Sequence, residues 1–453
     1  MNLTLPNRYD FLPRFYRLVV VNILSSIVVP LAGLISTAFL GHLPEIHNLA
    51  GVALAAVLFN YIYFIFGVLQ IGTIGVTAQS VGRDDPEAML LVGLRNSLIA
   101  FGIGGLILIL QYPIRELWFA LASATPEVKA SGITYFNTRI WGAPAVLINY
   151  VLIGWLLGRE MSGKVLLMSV VGNAANIILD YLFIIRWDWA STGAGVSQAV
   201  SQYLMLLVGL VWVSHEFSLE ELRSTIQKLW DWSAFRSTLT LNGNIFVKTF
   251  LNMCIFVILM NLSTRMGTTT LAVNSILVEI IELSISFLGG VGASTQVLIG
   301  NFEGKNANER IIPLVQVAIG TNLPVALTIA GAFVLFPQTL FGLLTSHAEI
   351  TEQISIYVPW LLPILGCLSI ASILEGFFAT LARGHILRNT ALTAVVGGFA
   401  PVAVWAWHSH SNHILWLAVS AFYTTRMVTL VVQFLLTLSS DVEEDVEKSI
   451  ESI

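Results

Sequence analysis

Twelve runs of about twenty or more apolar residues follow one another along the chain, near 17–40, 50–80, 89–110, 132–157, 164–185, 192–214, 238–262, 270–300, 311–336, 354–381, 387–407 and 413–438. An α-helix rises about 1.5 Å per residue, so each run can cross the roughly 30 Å hydrocarbon layer of a bilayer. Backbone amides in that layer find no water, and a continuous helix satisfies them within its own segment. The sequence therefore predicts an all-α polytopic membrane protein with twelve transmembrane helices. Composition agrees: 11% of residues are charged, against about 25% in soluble domains.

Connections are short except near 215–237, where SLEELRSTIQKLWDW reads as a charged amphipathic piece lying along the membrane face. The expected organisation is a cytoplasmic N-terminus (1–16), a six-helix bundle (17–214), this linker (215–237), a second six-helix bundle (238–438) and an acidic cytoplasmic tail (439–453). With the N-terminus inside, sixteen Lys and Arg fall on the inner face and four (Arg115, Lys129, Arg186 and Arg265) on the outer, leaving Arg139 and Arg426 inside spans. That bias predicts both termini cytoplasmic. Arg8, Arg14 and Arg17 precede a first run too long for a signal-peptide core, so it reads as a retained span. No transit segment is read ahead of it, and a bacterial inner (plasma) membrane is the expected location. The tail, with Asp441, Glu443, Glu444, Asp445 and Glu447, is expected to be solvated and disordered.

Several functions lack a basis. No basic patch is interleaved with aromatics, so nucleic acid is not an expected partner. Cys254 and Cys367 sit in separate apolar runs and read as small core residues. His408, His410 and His413 cluster in a short loop without a carboxylate or thiolate, and solvated loop residues are the better reading than a metal site. Gly158 to Val165 approaches the phosphate-loop pattern, but Val165 lacks the hydroxyl for magnesium and the flanks are membrane helices. No nucleophile–base arrangement appears, so no enzymatic activity is expected, and no cofactor beyond a coupling ion.

The two halves echo each other. TAQSVGRDDPE closes the second run and STQVLIGNFEGKN the eighth; Gln79 against Gln296 gives 296 − 79 = 217. GWLLGREMSGKVL and GFFATLARGHILRN align Gly154 with Gly376, giving 376 − 154 = 222. Nearly equal offsets predict a six-helix unit repeated in parallel, a transporter architecture with its site near the repeat interface.

Polar residues inside the spans mark where function would sit. Asn176 and Asp180 are four apart on the fifth span, hence on one helical face. Sixteen residues at about 1.5 Å each place Asp180 about 24 Å along from Lys164, in the outer half of the bilayer. A buried acid there can carry a proton or help ligate sodium, with Ser36, Asn149 and Gln198 as available partners from other spans. The structural alternative is a carboxyl paired with Arg139 or capped by Asn176. Glu279 and Glu282 share a face of the eighth span. With Glu375 they form a second candidate cation site, or else counter-charges for Lys248 and Arg426. Pro30 and Pro144 lack amide hydrogens and predict kinks whose free carbonyls could line a substrate cavity with Arg139 and Asn149.

Several stretches together resemble the multidrug and toxic compound extrusion (MATE) family, in particular its DinF-like branch: PLAGLISTAFLGHL (30–43), RIWGAPAVLIN (139–149), GNAANIILDYLFI (172–184), NGNIFVKT (242–249) and EGFFATLARGHILRNTAL (375–392). The resemblance implies two six-helix bundles forming a V, open to one side at a time. It implies efflux of organic, often cationic, compounds in exchange for protons or sodium. It further implies a first-half network in which Asn176 and Asp180 match the span-five residues and Gln198 the span-six residue. Ser36 stands where relatives often carry Asp, which removes one of two carboxylates. The span-ten acid here is Glu375, one methylene longer.

The expected function is thus secondary active efflux of organic, drug-like compounds, cationic or amphipathic, by antiport with H+ or Na+. Its partners are that small molecule and the bilayer; no obligate protein partner is expected, and the chain reads as a monomer. A lipid-linked precursor flippase of the same superfamily is the first alternative, and an ion-independent channel or sensor the second.

Overall fold

The structure, a computed structural model, describes residues 7–41, 43, 45–342 and 348–451. Twelve long helical stretches carry the fold: α1 (Leu12–Gly41), α2 (Ile46–Gly82), α3 (Pro86–Ile109), α4 (Pro126–Gly158), α5 (Ser162–Arg186), α6 (Ala190–Glu216), α7 (Trp232–Arg265), α8 (Thr268–Gly304), α9 (Asn308–Leu335), α10 (Glu349–Thr380), α11 (Gly384–Ser409) and α12 (Asn412–Glu451). No strand occurs among the described residues. Eleven of these, α2 to α12, are long and apolar enough to cross a membrane among the described residues, and the thirty-residue α1 stands at the predicted first span.

The chain divides into two compact units. One holds residues 11–242 with 297–307, and the other residues 1–10, 243–296 and 308–453. The division therefore runs inside α7 and α8 and not through the 215–237 linker. Packing decides this: the first turns of α7 bury Asn242 against Asn96 of α3 through a 2.9 Å amide hydrogen bond. The linker is not free either. A capping box of Ser218 and Glu221 starts its helix, Leu219–Gln227. Lys228 pairs with Glu87 at 2.6 Å, and Arg95 of α3 donates to the Lys228 carbonyl at 3.2 Å.

Within the first unit, α4 is the most buried helix, and α10 holds that place in the second. The sequence explains how α4 gets so close to its neighbours. Gly154 and Gly158 lie one turn apart, so the α2 backbone can press against a face without side chains. A Cβ on Gly154 would sit 2.6 Å from the Gln70 carbonyl oxygen, and one on Gly158 2.7 Å from that of Ile74. Gly300 of α8 is used likewise: a Cβ there would lie 2.8 Å from the Gly75 carbonyl.

Helical irregularities recur at matching places. α4 tightens into a 3-10 turn at Ile140–Gly142 just before Pro144, and α10 does so at Val358–Trp360 before Pro363. Proline cannot donate to the carbonyl one turn back, and an i→i+3 bond from Ala143 to the Ile140 carbonyl fills the gap. α5 widens into a π-turn at Tyr181–Arg186, and α11 at Ala394–Phe399. The break expected at Pro144 is thus present. α1, by contrast, runs uninterrupted from Leu12 to Gly41 through Pro30, whose side chain lies outside the described residues.

The acidic tail departs from expectation. α12 continues as helix to Glu451 rather than ending in disordered chain. Nothing between Asn412 and Glu451 is Gly or Pro, and Glu-rich sequence favours helix once a long helix has nucleated.

Replacing Gly158 by Leu should lower the unfolding free energy by about 1–3 kcal/mol, because the α2 backbone cannot yield to a side chain. Gly163→Ala, where nothing lies within 4 Å, should leave the thermal midpoint of the detergent-purified protein unchanged. Equal midpoints for both variants would count against close α2–α4 packing.

Candidate functional site

The site grows out of the short turn between α4 and α5. Glu160 takes a left-handed backbone (φ 59°) there, and its carboxylate is paired with Arg14 of α1. Glu216 at the end of α6 is paired with Arg159 and lies 3.6 Å from Lys164. The ends of α1, α4, α5 and α6 are thereby tied together, which fixes the register of α5 against α1 and α6.

Along that register Asp180 is buried, 1% exposed. Its Oδ2 accepts from the Ser36 hydroxyl of α1, and its Oδ1 from the Ser197 hydroxyl of α6. One turn earlier, Asn176 Oδ1 accepts from Gln198 Nε2 at 3.0 Å and from Ser36 at 3.3 Å, while its Nδ2 donates to Ser197 Oγ at 3.3 Å. Four side chains expected from sequence, Ser36, Asn176, Asp180 and Gln198, therefore meet in one network across three helices. Ser197 completes it and was missed. The signal for it was the small-residue run STGAGVSQ, which lets α6 approach α5 closely: a Cβ on Gly193 would lie 2.9 Å from Phe183 Cβ.

Asn149 and Arg139 lie elsewhere. Asn149 of α4 donates to the Gln202 carbonyl at 3.0 Å and to its side-chain oxygen at 3.1 Å, bonds that tie α4 to α6. Arg139 donates to the Tyr135 hydroxyl at 2.6 Å and lies over aromatic rings. Neither it nor any other Lys or Arg is within ion-pair distance of Asp180 among the described residues. The paired-carboxyl alternative with Arg139 is thus not what the geometry holds: Tyr135 and the rings occupy that guanidinium instead. Pro144 is buried in α4 beside Gly104 of α3, where a Cβ would meet Pro144 Cα at 2.6 Å.

In the second unit the three acids do not gather into one open site. Glu375 of α10 is ion-paired with Lys248 of α7 at 2.7 Å and with Arg426 of α12. Arg426 also donates to Asn252 Oδ1 at 2.8 Å and is 1% exposed. Glu279 and Glu282 are exposed, side by side on α8. Two cations around one carboxylate leave no excess negative charge to attract a third. The counter-charge arrangement, weighed above as the alternative, holds for Glu375, while Glu279 and Glu282 make no ion pair with Lys248 or Arg426 among the described residues. At the start of α12, His413 Nδ1 accepts from Trp360 at 3.4 Å and its ring packs on Tyr357, and no group of three metal-ligating side chains occurs among the described residues.

Truncating one member of a buried pair strands its partners, at a typical cost of about 3–5 kcal/mol. Glu375→Ala should therefore depress the thermal midpoint far more than Glu279→Ala. Comparable midpoints for the two variants would show that the Lys248–Glu375–Arg426 cluster carries little stability.

Comparisons with known proteins agree with this layout. The MatE family model matches residues 22–182 and again 245–405. The copies are separated by 245 − 22 = 223 residues, one more than the offset between Gly154 and Gly376. The DNA damage-inducible protein F of Escherichia coli (strain K12) is 30% identical over 410 residues, 90% of this chain and 88% of that protein. A probable multidrug resistance protein NorM of Thermotoga maritima is 21% identical over 329 residues, 71% of this chain and 70% of that one. Among solved structures, the Vibrio cholerae MATE transporter VcmN in its bent form superposes with a TM-score of 0.83 at 18% identity, over 97% of this chain and 99% of that chain, a likeness of fold. A repeated family match in step with the internal repeat, and identity running through most of both chains, make this protein a member of the MatE family of multi-pass membrane transporters.

Proposed function

We propose that the chain is a cation-coupled antiporter that exports organic amphipathic compounds, with Asp180 as the residue that gains and loses the coupling ion. The observation that carries this reading is the setting of Asp180: a buried carboxylate whose hydrogen-bond partners are two neutral hydroxyls, Ser36 and Ser197. An intramembrane acid with no counter-charge among the described residues is costly to keep as it stands, and function is the usual reason for one. Asn176 and Gln198 add oxygen and nitrogen atoms to the same cluster. A proton needs only Asp180; sodium would use the carboxylate with the Ser and Asn oxygens around it.

Transport coupling requires that ion and substrate differ in their preference for the states of the protein, since a ligand with equal affinity for all states shifts nothing. In this reading the ion enters from outside, binds Asp180 and drives substrate release outward. The excess of Lys and Arg on one side of the spans supports both termini facing a cytoplasm.

A lipid-linked precursor flippase needs a basic surface for a pyrophosphate. Arg426, one of the two intramembrane arginines, is already engaged by Glu375, and Arg139 alone is a thin basic surface for a pyrophosphate. An ion-independent channel would show flux insensitive to imposed gradients.

The test uses purified protein in vesicles with proton and sodium gradients imposed separately, against a panel of organic cations and acids. Asp180→Asn keeps the size and the donor–acceptor pattern of the protonated acid but cannot cycle a charge, and should reduce gradient-driven export to the level of empty vesicles. The variant should retain the wild-type thermal midpoint within a few degrees. Undiminished export by this variant under a proton gradient would remove Asp180 from the coupling role.

A further inference from the structure

Among the described residues, Lys248 and Arg426 inside the spans are neutralised by a carboxylate, and Arg139 is not. Lys248 and Arg426 share Glu375. Arg139, on α4 just before the 3-10 turn, has no carboxylate within ion-pair distance among the described residues. Its guanidinium instead sits 4.5 Å over the Phe59 ring, 5.8 Å from the Tyr63 ring centre and 5.5 Å from that of Tyr135. The rings are themselves held by packing: Phe59 stacks on Phe136 at 5.3 Å and meets Tyr135 edge-on at 6.1 Å. Aromatic faces attract a cation but leave its in-plane N–H groups free. Guanidinium carries five N–H donors, and the Tyr135 hydroxyl takes one of them.

A second, independent observation points the same way. Tyr63, on α2, is 8% exposed, and its hydroxyl is buried without a hydrogen-bond partner among the described residues. An orphaned buried hydroxyl is uncommon and calls for an explanation. Free guanidinium donors and an unpartnered phenol hydroxyl are together the complement of a group that only accepts, a carboxylate or a phosphate. A planar guanidinium receives such a group through two parallel hydrogen bonds. Because the rings and Tyr135 already fix the side chain, little rotamer entropy is left to lose on binding.

We propose that Arg139, Tyr63 and the surrounding rings form a binding site for the anionic group of an organic acid or phosphate. This deepens the transport reading, on which it rests, by giving the substrate an anionic group attached to an apolar body. It is a binding claim, measurable with no gradient present. A failure of coupled flux therefore leaves it standing, and its own failure leaves coupling at Asp180 untouched.

The test uses the full chain in phosphatidylcholine nanodiscs at pH 7. Calorimetry would compare 2-naphthoate with two probes of the same shape, 2-naphthylmethylammonium and neutral 2-naphthamide. Naphthoate should bind about tenfold or more tightly than either, as charge-assisted hydrogen bonds imply. Arg139→Gln should erase that preference, and Arg139→Lys, which keeps the charge without the fork, should retain part of it. Tyr63→Phe removes only the hydroxyl and should weaken naphthoate several-fold while leaving the ammonium probe unchanged. The thermal midpoint of each variant is measured alongside, and if Arg139→Gln fails to fold, Tyr63→Phe decides. Equal binding of the three probes, or naphthoate binding indifferent to these substitutions, overturns the proposal. Repeating the titration in discs doped with phosphatidic acid separates the sources of the anion. Weakened naphthoate binding there assigns a lipid phosphate as occupant, and unchanged binding assigns a free organic anion; both outcomes keep the anion site.

Discussion

A carboxylate taken out of water must be compensated, and the protein does this in two different ways. Glu375 is met by two cations, Lys248 and Arg426, so its charge is more than balanced. Asp180 is met by hydroxyls and, through Asn176 and Gln198, by amides. The first arrangement is a fastening: it holds α7, α10 and α12 together, and any change of charge would leave buried cations stranded. The second leaves a charge that can be altered without orphaning an opposite one. Two units of similar ancestry have thus been given unlike electrostatics, one for cohesion and one suited to exchange.

Both arrangements depend on how near the helices come. Without a hydrophobic force between apolar segments in lipid, association relies on close backbone approach and interhelical hydrogen bonds. Gly154 and Gly158 supply the first between α2 and α4. Amide pairs supply the second: Asn274 and Asn412 exchange hydrogen bonds of 2.7 and 3.0 Å between α8 and α12. The irregular turns follow from the same economy. A 3-10 turn before a proline and a π-turn in the next span keep backbone groups satisfied while redirecting side chains, and both occur in each half.

Much of this was legible in the sequence because it rests on one-dimensional signals. Apolar run length located the spans, and the Gly154–Gly376 offset located the repeat to within one residue of the family match. The i,i+4 spacing put Asn176 and Asp180 on one face, and the family resemblance pointed to Ser36 and Gln198 beside them; Asn149, an equal candidate by span position, bonds Gln202 instead. What the sequence withheld is what depends on rotation of one helix against another. Ser197 and Gln198 are neighbours in sequence, and only the closeness of α6 reveals that the serine reaches Asp180 as well. Glu279, Glu282 and Glu375 were equal candidates until α7 and α12 were seen to deliver Lys248 and Arg426 to one of them. The helical tail past Ser439 was misjudged because charge density spoke for disorder, whereas continuity with a long helix prevailed.

The serine hydroxyls at Asp180 hold one further consequence. Ser36 has a single hydrogen but two acceptors before it, Asn176 Oδ1 and Asp180 Oδ2; Ser197 likewise faces Asp180 Oδ1 and, at 3.0 Å, the Ala194 carbonyl. Were the acid to carry a proton of its own, it would become a donor to one of these oxygens, and that hydroxyl would swing toward its second acceptor. Such a reversal moves hydrogens only: the same helices stay bonded, and donor and acceptor exchange places between them. The occupancy of one oxygen atom in α5 would then be announced to α1 or α6 by rotation about a single C–O bond.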